Sequence, residues 1–444
     1  MKKVLSPVRF LSIGYIFTIM VGTILLLFPD ASKNGYTSFL DALFTATSAT
    51  CVTGLIPFDT FEHWTMFGQI VILALIQIGG LGFMTIITLF FMLIGKKLSL
   101  YNRTIMMQSA GSYNISGIGR LIRRIILGTI LFEGVGALII TSILSKEMSF
   151  GDALFKGIFH SISAFCNAGF DIFGTGSLTA YKSNSLLLIT IMVLIIVGGS
   201  GFIIWSDLID NKFNLKKLEV HSKVVLIFNA ILVVVPALLF LMFEFTNIGN
   251  GGPFTDFSFK DKLVNAFFLS VSPRTAGFNT VDMSALTSSG KILTNILMFI
   301  GGNSGSTAGG LKVTTFVVVI SNLYSQMRGH NKVILFKRQI PDKIVKQSSA
   351  LFVAYTILIF VASILIAAFD TFTFEQILFE VTSAVGTVGL TLGISAAGNV
   401  FTKLILTFLM YAGRIGGLSL LSLFITKENN EYILEEPKGK IIVG

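Results

Sequence analysis

Apolar residues in this chain gather into long uninterrupted blocks, with polar and charged residues confined to the joints between them. Stretches such as 184–205 and 348–369 meet the roughly 20-residue length that a helix needs to cross a ~30 Å hydrocarbon layer. The blocks predict outer helices near 8–28, 122–144, 222–243 and 347–369, and inner helices near 64–94, 184–208, 290–322 and 400–426. Between each outer and inner helix lies a shorter amphipathic stretch of ten to fourteen residues, too short to cross.

Each short stretch ends in a recurring phrase of small and hydroxyl residues closed by glycine: SATCVTG at 48–54, SAFCNAG at 163–169, VSPRTAG at 271–277 and SAVGTVG at 383–389. The closing glycines, Gly54, Gly169, Gly277 and Gly389, are 115, 108 and 112 residues apart. Such regular self-similarity marks a repeat architecture. Asp41, Asp152, Asp261 and Glu375 stand near the start of the four stretches, where a helix dipole favours negative charge, so each reads as a re-entrant half-helix. The fold expected is an all-α polytopic membrane protein. Four parallel helix–re-entrant pore hairpin–helix repeats, residues 1–95, 96–210, 211–325 and 326–426, stand in pseudo-fourfold symmetry around one central pore, followed by a cytoplasmic tail, 427–444.

Composition supports a bilayer as solvent: 53% of the 444 residues are hydrophobic and only 13% charged. Lys2 and Lys3 ahead of an apolar run to Leu27 resemble a signal peptide. An uncleaved first span is expected instead, because its removal would strip the first repeat of its leading helix. The net charge of +10 reflects topology rather than nucleic-acid binding. Residues 95–124 hold Lys96, Lys97, Arg103, Arg120, Arg123 and Arg124 with no acid, and 323–347 hold six basic residues against Asp342. The segments beside the half-helices lean acidic, so all repeats share one orientation with both termini cytoplasmic. Cys51 and Cys166 are the two cysteines, and His63, His160, His221 and His330 lack metal-site spacing. No intramembrane nucleophile, acid–base pair or metal set suggests an enzyme.

Irregular backbone at membrane depth is tolerated where it is buried in protein or lines an aqueous cavity. Four glycine-closed segments around one axis can turn main-chain carbonyls inward and replace the hydration shell of a cation. The filter expected from this comprises Thr50, Cys51, Val52, Thr53 and Gly54; Cys166, Asn167, Ala168 and Gly169; Arg274, Thr275, Ala276 and Gly277; and Gly386, Thr387, Val388 and Gly389. Arg274 would oppose conduction if it pointed into the pore, so it is expected behind the filter, paired with Glu380 on the next half-helix. Glu133, inside the second outer helix, is expected to hydrogen-bond neighbouring backbone or hydroxyls rather than form an ion site. The third inner helix carries Gly301, Gly302, Asn303, Ser304, Gly305, Ser306, Thr307, Ala308, Gly309 and Gly310, then Lys312, a density of helix breakers that should interrupt it midway.

These phrases, with QIGGLGFMT at 77–85, SPRTAGFN at 272–279 and GRIGGL at 413–418, resemble the membrane subunit of the Ktr potassium uptake systems, in the Trk/Ktr/HKT superfamily, over nearly the whole chain. The resemblance implies potassium as the ion, with Gly54 rather than serine at the first filter position. It implies that 301–312 is an intramembrane loop obstructing the pore, faced by Arg414. It also implies a homodimer and a cytosolic ring of RCK-type subunits binding ATP or ADP, since this chain has no strand-flanked GxGxxG. The basic linkers are the expected docking surface, although lipid attraction alone explains their charge. A secondary transporter, with or without sodium coupling, is the rival reading, and the broken third helix is the one feature favouring it.

Overall fold

The computed structural model describes residues 7–82, 85, 118–174, 176–245, 252–255, 257–330 and 332–416. The N-terminal lysines, residues 95–117 of the first basic linker, the distal parts expected of the first and last inner helices, and the tail lie outside the described residues.

Four helices are long and apolar enough to cross a bilayer: α1 (Pro7–Leu26), α4 (Ile118–Leu144), α8 (Val220–Phe245) and α12 (Asp342–Phe369). They coincide with the predicted outer helices. Phe17, Leu138 and Ile364 on them are 64%, 68% and 69% exposed, a surface that suits hydrocarbon. α8 carries Pro236 in its interior, as spanning helices tolerate.

The half-helices are α2 (Phe39–Cys51), α5 (Phe150–Cys166), α9 (Phe259–Val271) and α13 (Phe374–Gly386). Each starts on a hydroxyl cap. Ser38, Ser149 and Ser258 accept from the backbone N–H of Asp41, Asp152 and Asp261, and Thr373 forms a reciprocal capping box with Gln376. The acidic residues thus sit in the first turn, where the dipole stabilises them.

The inner helices differ from expectation. The first described segment, α3 (Met66–Leu81), stops at Gly82, φ +83°. The second is not one helix over 184–208: α6 (Ser185–Gly199) and α7 (Phe202–Asp210) meet at 86° about Gly201, φ +103°. The last, α14 (Val400–Ile415), stops at Gly416, φ +88°. The third is broken as anticipated, into α10 (Ser288–Ile300) and α11 (Val313–Met327), with an irregular loop between. A G-x-x-G spacing accounts for the shared pattern. Its last glycine ends the helix in a left-handed conformation open to glycine. Its first, Gly79, Gly198 or Gly413, touches the half-helix: a Cβ there would lie 1.9, 1.8 or 2.1 Å from the carbonyl oxygen of Thr50, Phe165 or Val385.

Every half-helix packs against the outer and inner helices of its own repeat and against one inner helix of a neighbour: α3 on α5, α6 on α9, α10 on α13, and α14 on α2. Two ion pairs cross these junctions in the same sense, Lys291 to Glu375 at 3.5 Å and Lys403 to Asp41 at 2.7 Å. A two-residue hairpin, β1 (Ile334–Leu335) with β2 (Arg338–Gln339), decorates the 323–347 linker.

The Lys403–Asp41 pair is nearly closed off from solvent, at 13% and 14% side-chain exposure, so each partner is costly to leave alone. Lys403→Met should lower stability by about 1–3 kcal/mol, between the exposed and fully buried cases. Adding Asp41→Asn should recover much of the loss in thermal unfolding of detergent-solubilised protein. Simple addition of the two single losses would mean the pair contributes nothing as a pair.

Candidate functional site

The C-terminal ends of the half-helices run into the four glycine-closed phrases. Val52, Asn167 and Thr387 take left-handed φ of 58°, 59° and 50° as the C-caps of α2, α5 and α13, and Thr275 does so at 74° in the third phrase. The chain then turns its N–H groups back onto the half-helix. Thr53, Ala168 and Val388 each donate 2.8 Å bonds to the carbonyls of Ser48, Ser163 and Ser383, and Ala276 donates to Ser272 at 2.9 Å. The serine hydroxyls complete the support. Those of Ser48 and Ser383 accept from Gly54 and Gly389 N–H at 3.0 and 3.1 Å, and those of Ser163 and Ser272 donate to the carbonyls of Phe170 and Phe278.

With the N–H groups committed behind, the carbonyls lie on the other side. Among the described residues no hydrogen bond ends on the carbonyl oxygen of Thr53, Ala168, Ala276 or Val388. The four glycines close a circuit through those same oxygens. A Cβ on Gly54 would lie 2.5 Å from the Ala168 oxygen, on Gly169 2.8 Å from Ala276, on Gly277 2.4 Å from Val388, and on Gly389 2.2 Å from Thr53. Each would also lie 3.0 to 3.2 Å from the Cα of the next glycine. Thr50, Cys51, Val52, Thr53, Cys166, Asn167, Ala168, Thr275, Ala276, Gly386, Thr387 and Val388 are all buried around this circuit. The hydroxyls of Thr50, Thr53 and Thr387 have no protein partner among the described residues.

Arg274 lies behind the third phrase but does not pair with Glu380, which corrects the expected ion pair. Its guanidinium donates to Asn229 Oδ1 on α8. Glu380 is satisfied locally: Thr391 Oγ1 donates to it at 2.7 Å, and the N–H groups of Leu392 and Ser395 at 3.3 and 2.9 Å. Ser395 is in the first turn of the short helix Ile394–Ala397, whose free N–H groups suit a carboxylate. Glu133 accepts from the Gln77 side-chain amide at 3.2 Å, in place of the backbone or hydroxyl partners expected.

The 301–312 loop is packed against the underside of the circuit. Thr307 donates through its hydroxyl to the Phe165 carbonyl at 3.2 Å and through its N–H to Gly198 at 3.3 Å. Gly309 and Gly310 abut Thr387 and Gly386, and Gly310 N–H reaches the Gly413 carbonyl at 3.2 Å. Lys312 folds back onto the carbonyls of Ala308 and Gly309 at 2.8 and 3.1 Å. Ser304 meets Thr314, Ser306 bonds the Asn303 carbonyl, and the Gly305 carbonyl accepts from Phe202 N–H. Gly301 turns the chain off α10 at φ +62°, and the Gly302 carbonyl accepts from Val313 N–H at 2.9 Å. Arg414 stands one residue after Gly413, in the register of Gly80 and Gly199. Its guanidinium donates to the Thr307 carbonyl of the loop and to the Gly79 and Gly80 carbonyls of α3. On the far side of the loop a cavity of ≈ 260 Å³ is lined by Ser304, Gly305, Lys312, Arg414 and Gly416 among others.

The family described as TrkH, a cation transport protein, matches residues 13–434. The chain belongs to that family. It is 39% identical to the potassium/sodium uptake protein NtpJ of Enterococcus hirae over 100% of this chain and 98% of that protein. It is 36% identical to the Ktr system potassium uptake protein B of Bacillus subtilis over 99% and 97%. The potassium transporter TrkH from Vibrio parahaemolyticus superposes with a TM-score of 0.76 at 18% identity, over 96% of this chain and 86% of that one, a likeness of fold. This TrkH-family chain is therefore a multi-pass membrane protein of a cation uptake family, and its relatives are transporters rather than enzymes.

Sequence reading missed Asn229 and the G-x-x-G breaks. A lone amide in an otherwise apolar block was the available signal for the first, and the recurrence of IGGLG, VGGSG and AGRIG for the second.

A methyl group at any circuit glycine strikes backbone, which cannot swing aside. Gly389→Ala and Gly277→Ala should abolish ion uptake and lower stability more than Gly169→Ala, in the order of their carbonyl distances. Gly35→Ala is the control: its φ of +69° is the same kind of conformation, yet nothing lies within 4 Å of the new Cβ, so only about 1–2 kcal/mol is at stake. Thermal unfolding and uptake of the purified variants measure both. Equal tolerance at Gly389 and Gly35 would rule out the close circuit.

Proposed function

We propose that this chain takes up potassium through a filter of backbone carbonyls at the centre of four pseudo-fourfold, parallel repeats. The observation that carries the reading is the closed glycine circuit, with its uncommitted carbonyls and its N–H groups bonded behind. Neutral main-chain oxygens replace the hydration shell of a weakly hydrated monovalent cation at low cost. The negative ends of the half-helix dipoles add to the field on it. Threonine hydroxyls without protein partners supply further oxygens. Potassium is favoured by glycine at all four positions, by the resemblance to Ktr subunits, and by what the E. hirae and B. subtilis relatives are said to take up.

The 301–312 loop is the gate. Its backbone lies across the path beneath the filter, fixed by Arg414, whose charge also opposes a cation at that point. Movement of the loop away from Thr387 and the Phe165 carbonyl opens the path to the cavity below. Control comes from outside the chain: a cytosolic RCK-type ring that binds ATP or ADP docks on the basic linkers of a homodimeric membrane subunit, with both termini cytoplasmic. A second reading, potassium movement accompanied by sodium, is favoured by the description of the E. hirae relative as a potassium/sodium uptake protein.

Growth of a potassium-uptake-deficient bacterium on low potassium should be rescued by this chain. Gly54→Ser or Gly389→Ser should abolish rescue while the protein still inserts. In proteoliposomes, Arg414→Ala or a shortened 304–310 loop should raise rubidium uptake several-fold by lowering the barrier by about 1 kcal/mol or more. Unchanged or lower uptake by correctly inserted Arg414→Ala would refute the gate; rescue that survives both glycine variants would refute the filter.

A further inference from the structure

Arg274 is a buried cation, 8% exposed, three residues before Gly277, and no acidic side chain pairs with it among the described residues. What holds it is one oxygen, Asn229 Oδ1, on an outer helix that supplies no part of the circuit. The same oxygen accepts a second bond, from Asn303 Nδ2 of the loop at 3.3 Å, and Asn303 also donates to the Gly199 carbonyl at 2.8 Å. The void where these groups meet is ≈ 10 Å³, lined by Asn167, Gly199, Asn229, Arg274 and Gly302, about the lower limit for a single water. Both bonds to Asn229 Oδ1 are direct.

We propose that Asn229 is a positioning residue that couples the third filter segment to the loop, through a single acceptor shared by Arg274 and Asn303. This rests on the filter-and-gate reading above. An amide amid apolar residues at this depth is expensive unless bonded, and both of its donors belong to elements that move or select in that reading. When the loop withdraws, Asn303 leaves and the hold on Arg274 changes, so the filter registers the state of the gate. Coupling of this kind is reciprocal: ion occupancy at Gly277 biases the loop as strongly as the loop biases ion binding.

Three variants in proteoliposomes test it: Asn229→Leu, Asn303→Ala and Asn229→Asp, the last retaining the acceptor. Basal rubidium uptake and rubidium-over-sodium discrimination are read together. Asn229→Leu should raise basal uptake and lower discrimination, each by roughly threefold to tenfold. Asn303→Ala, on the loop surface of the contact, should raise basal uptake as well. The double variant Asn229→Leu/Asn303→Ala should fall short of the product of the two single effects, and Asn229→Asp should keep both readouts near the wild type. If Asn303→Ala leaves basal uptake unchanged while Asn229→Leu alters discrimination alone, Asn229 only satisfies Arg274 and the coupling is wrong. Should Asn229→Leu fail to insert, Asn229→Ser together with Asn303→Ala gives the same comparison. Absence of rubidium uptake by the wild type would instead overturn the filter reading, which keeps the two failures distinct.

Discussion

In hydrocarbon every backbone N–H and C=O must find a partner or open onto water, and the four glycine-closed phrases meet that demand in one direction only. Their N–H groups return to the half-helices through Ser48, Ser163, Ser272 and Ser383. The carbonyls of Thr53, Ala168, Ala276 and Val388 accept no hydrogen bond among the described residues and lie against the closing glycines of neighbouring phrases. A side chain in the circuit would drive into a carbonyl oxygen at 2.2 to 2.8 Å, so the absence of Cβ atoms sets the width of the ring. The inner helices obey the same geometry one layer out, where Gly79, Gly198 and Gly413 admit the carbonyls of Thr50, Phe165 and Val385.

That close approach also explains why the inner helices end where they do. Having packed against a half-helix, each of these three helices ends on a glycine of positive φ, Gly82, Gly201 or Gly416, and at Gly201 the next helix leaves at 86°. The third repeat departs from this, turning at Gly301 and spending twelve residues beneath the circuit before α11 begins. Arg414 fits the departure. In the other repeats its register holds glycine, whereas here a guanidinium bridges the loop at Thr307 to α3 at Gly79 and Gly80.

The outer helices were legible because length and apolarity suffice to define a span. The glycine circuit was legible because one phrase recurs four times at near-constant spacing. The inner-helix breaks were hidden inside continuous apolar runs: hydropathy does not register a change of φ at Gly201, although the G-x-x-G recurrence does. The Arg274–Glu380 pairing failed for a different reason. Opposite charge on neighbouring half-helices suggested a bond, but Glu380 accepts from the N–H groups that follow its own glycine-closed phrase, and Arg274 is held by a neutral amide from α8. Charge complementarity read along a chain says nothing about which side of a half-helix a group occupies.

The central claim is that main-chain oxygens at the four glycines hold a dehydrated cation. Crystals of the protein grown in rubidium and in sodium, compared by anomalous scattering at the rubidium edge, test it most directly. The account predicts rubidium density on the axis, equidistant within error from the carbonyls of Thr53, Ala168, Ala276 and Val388. Rubidium absent from that position, or bound only at carboxylates elsewhere, would contradict it.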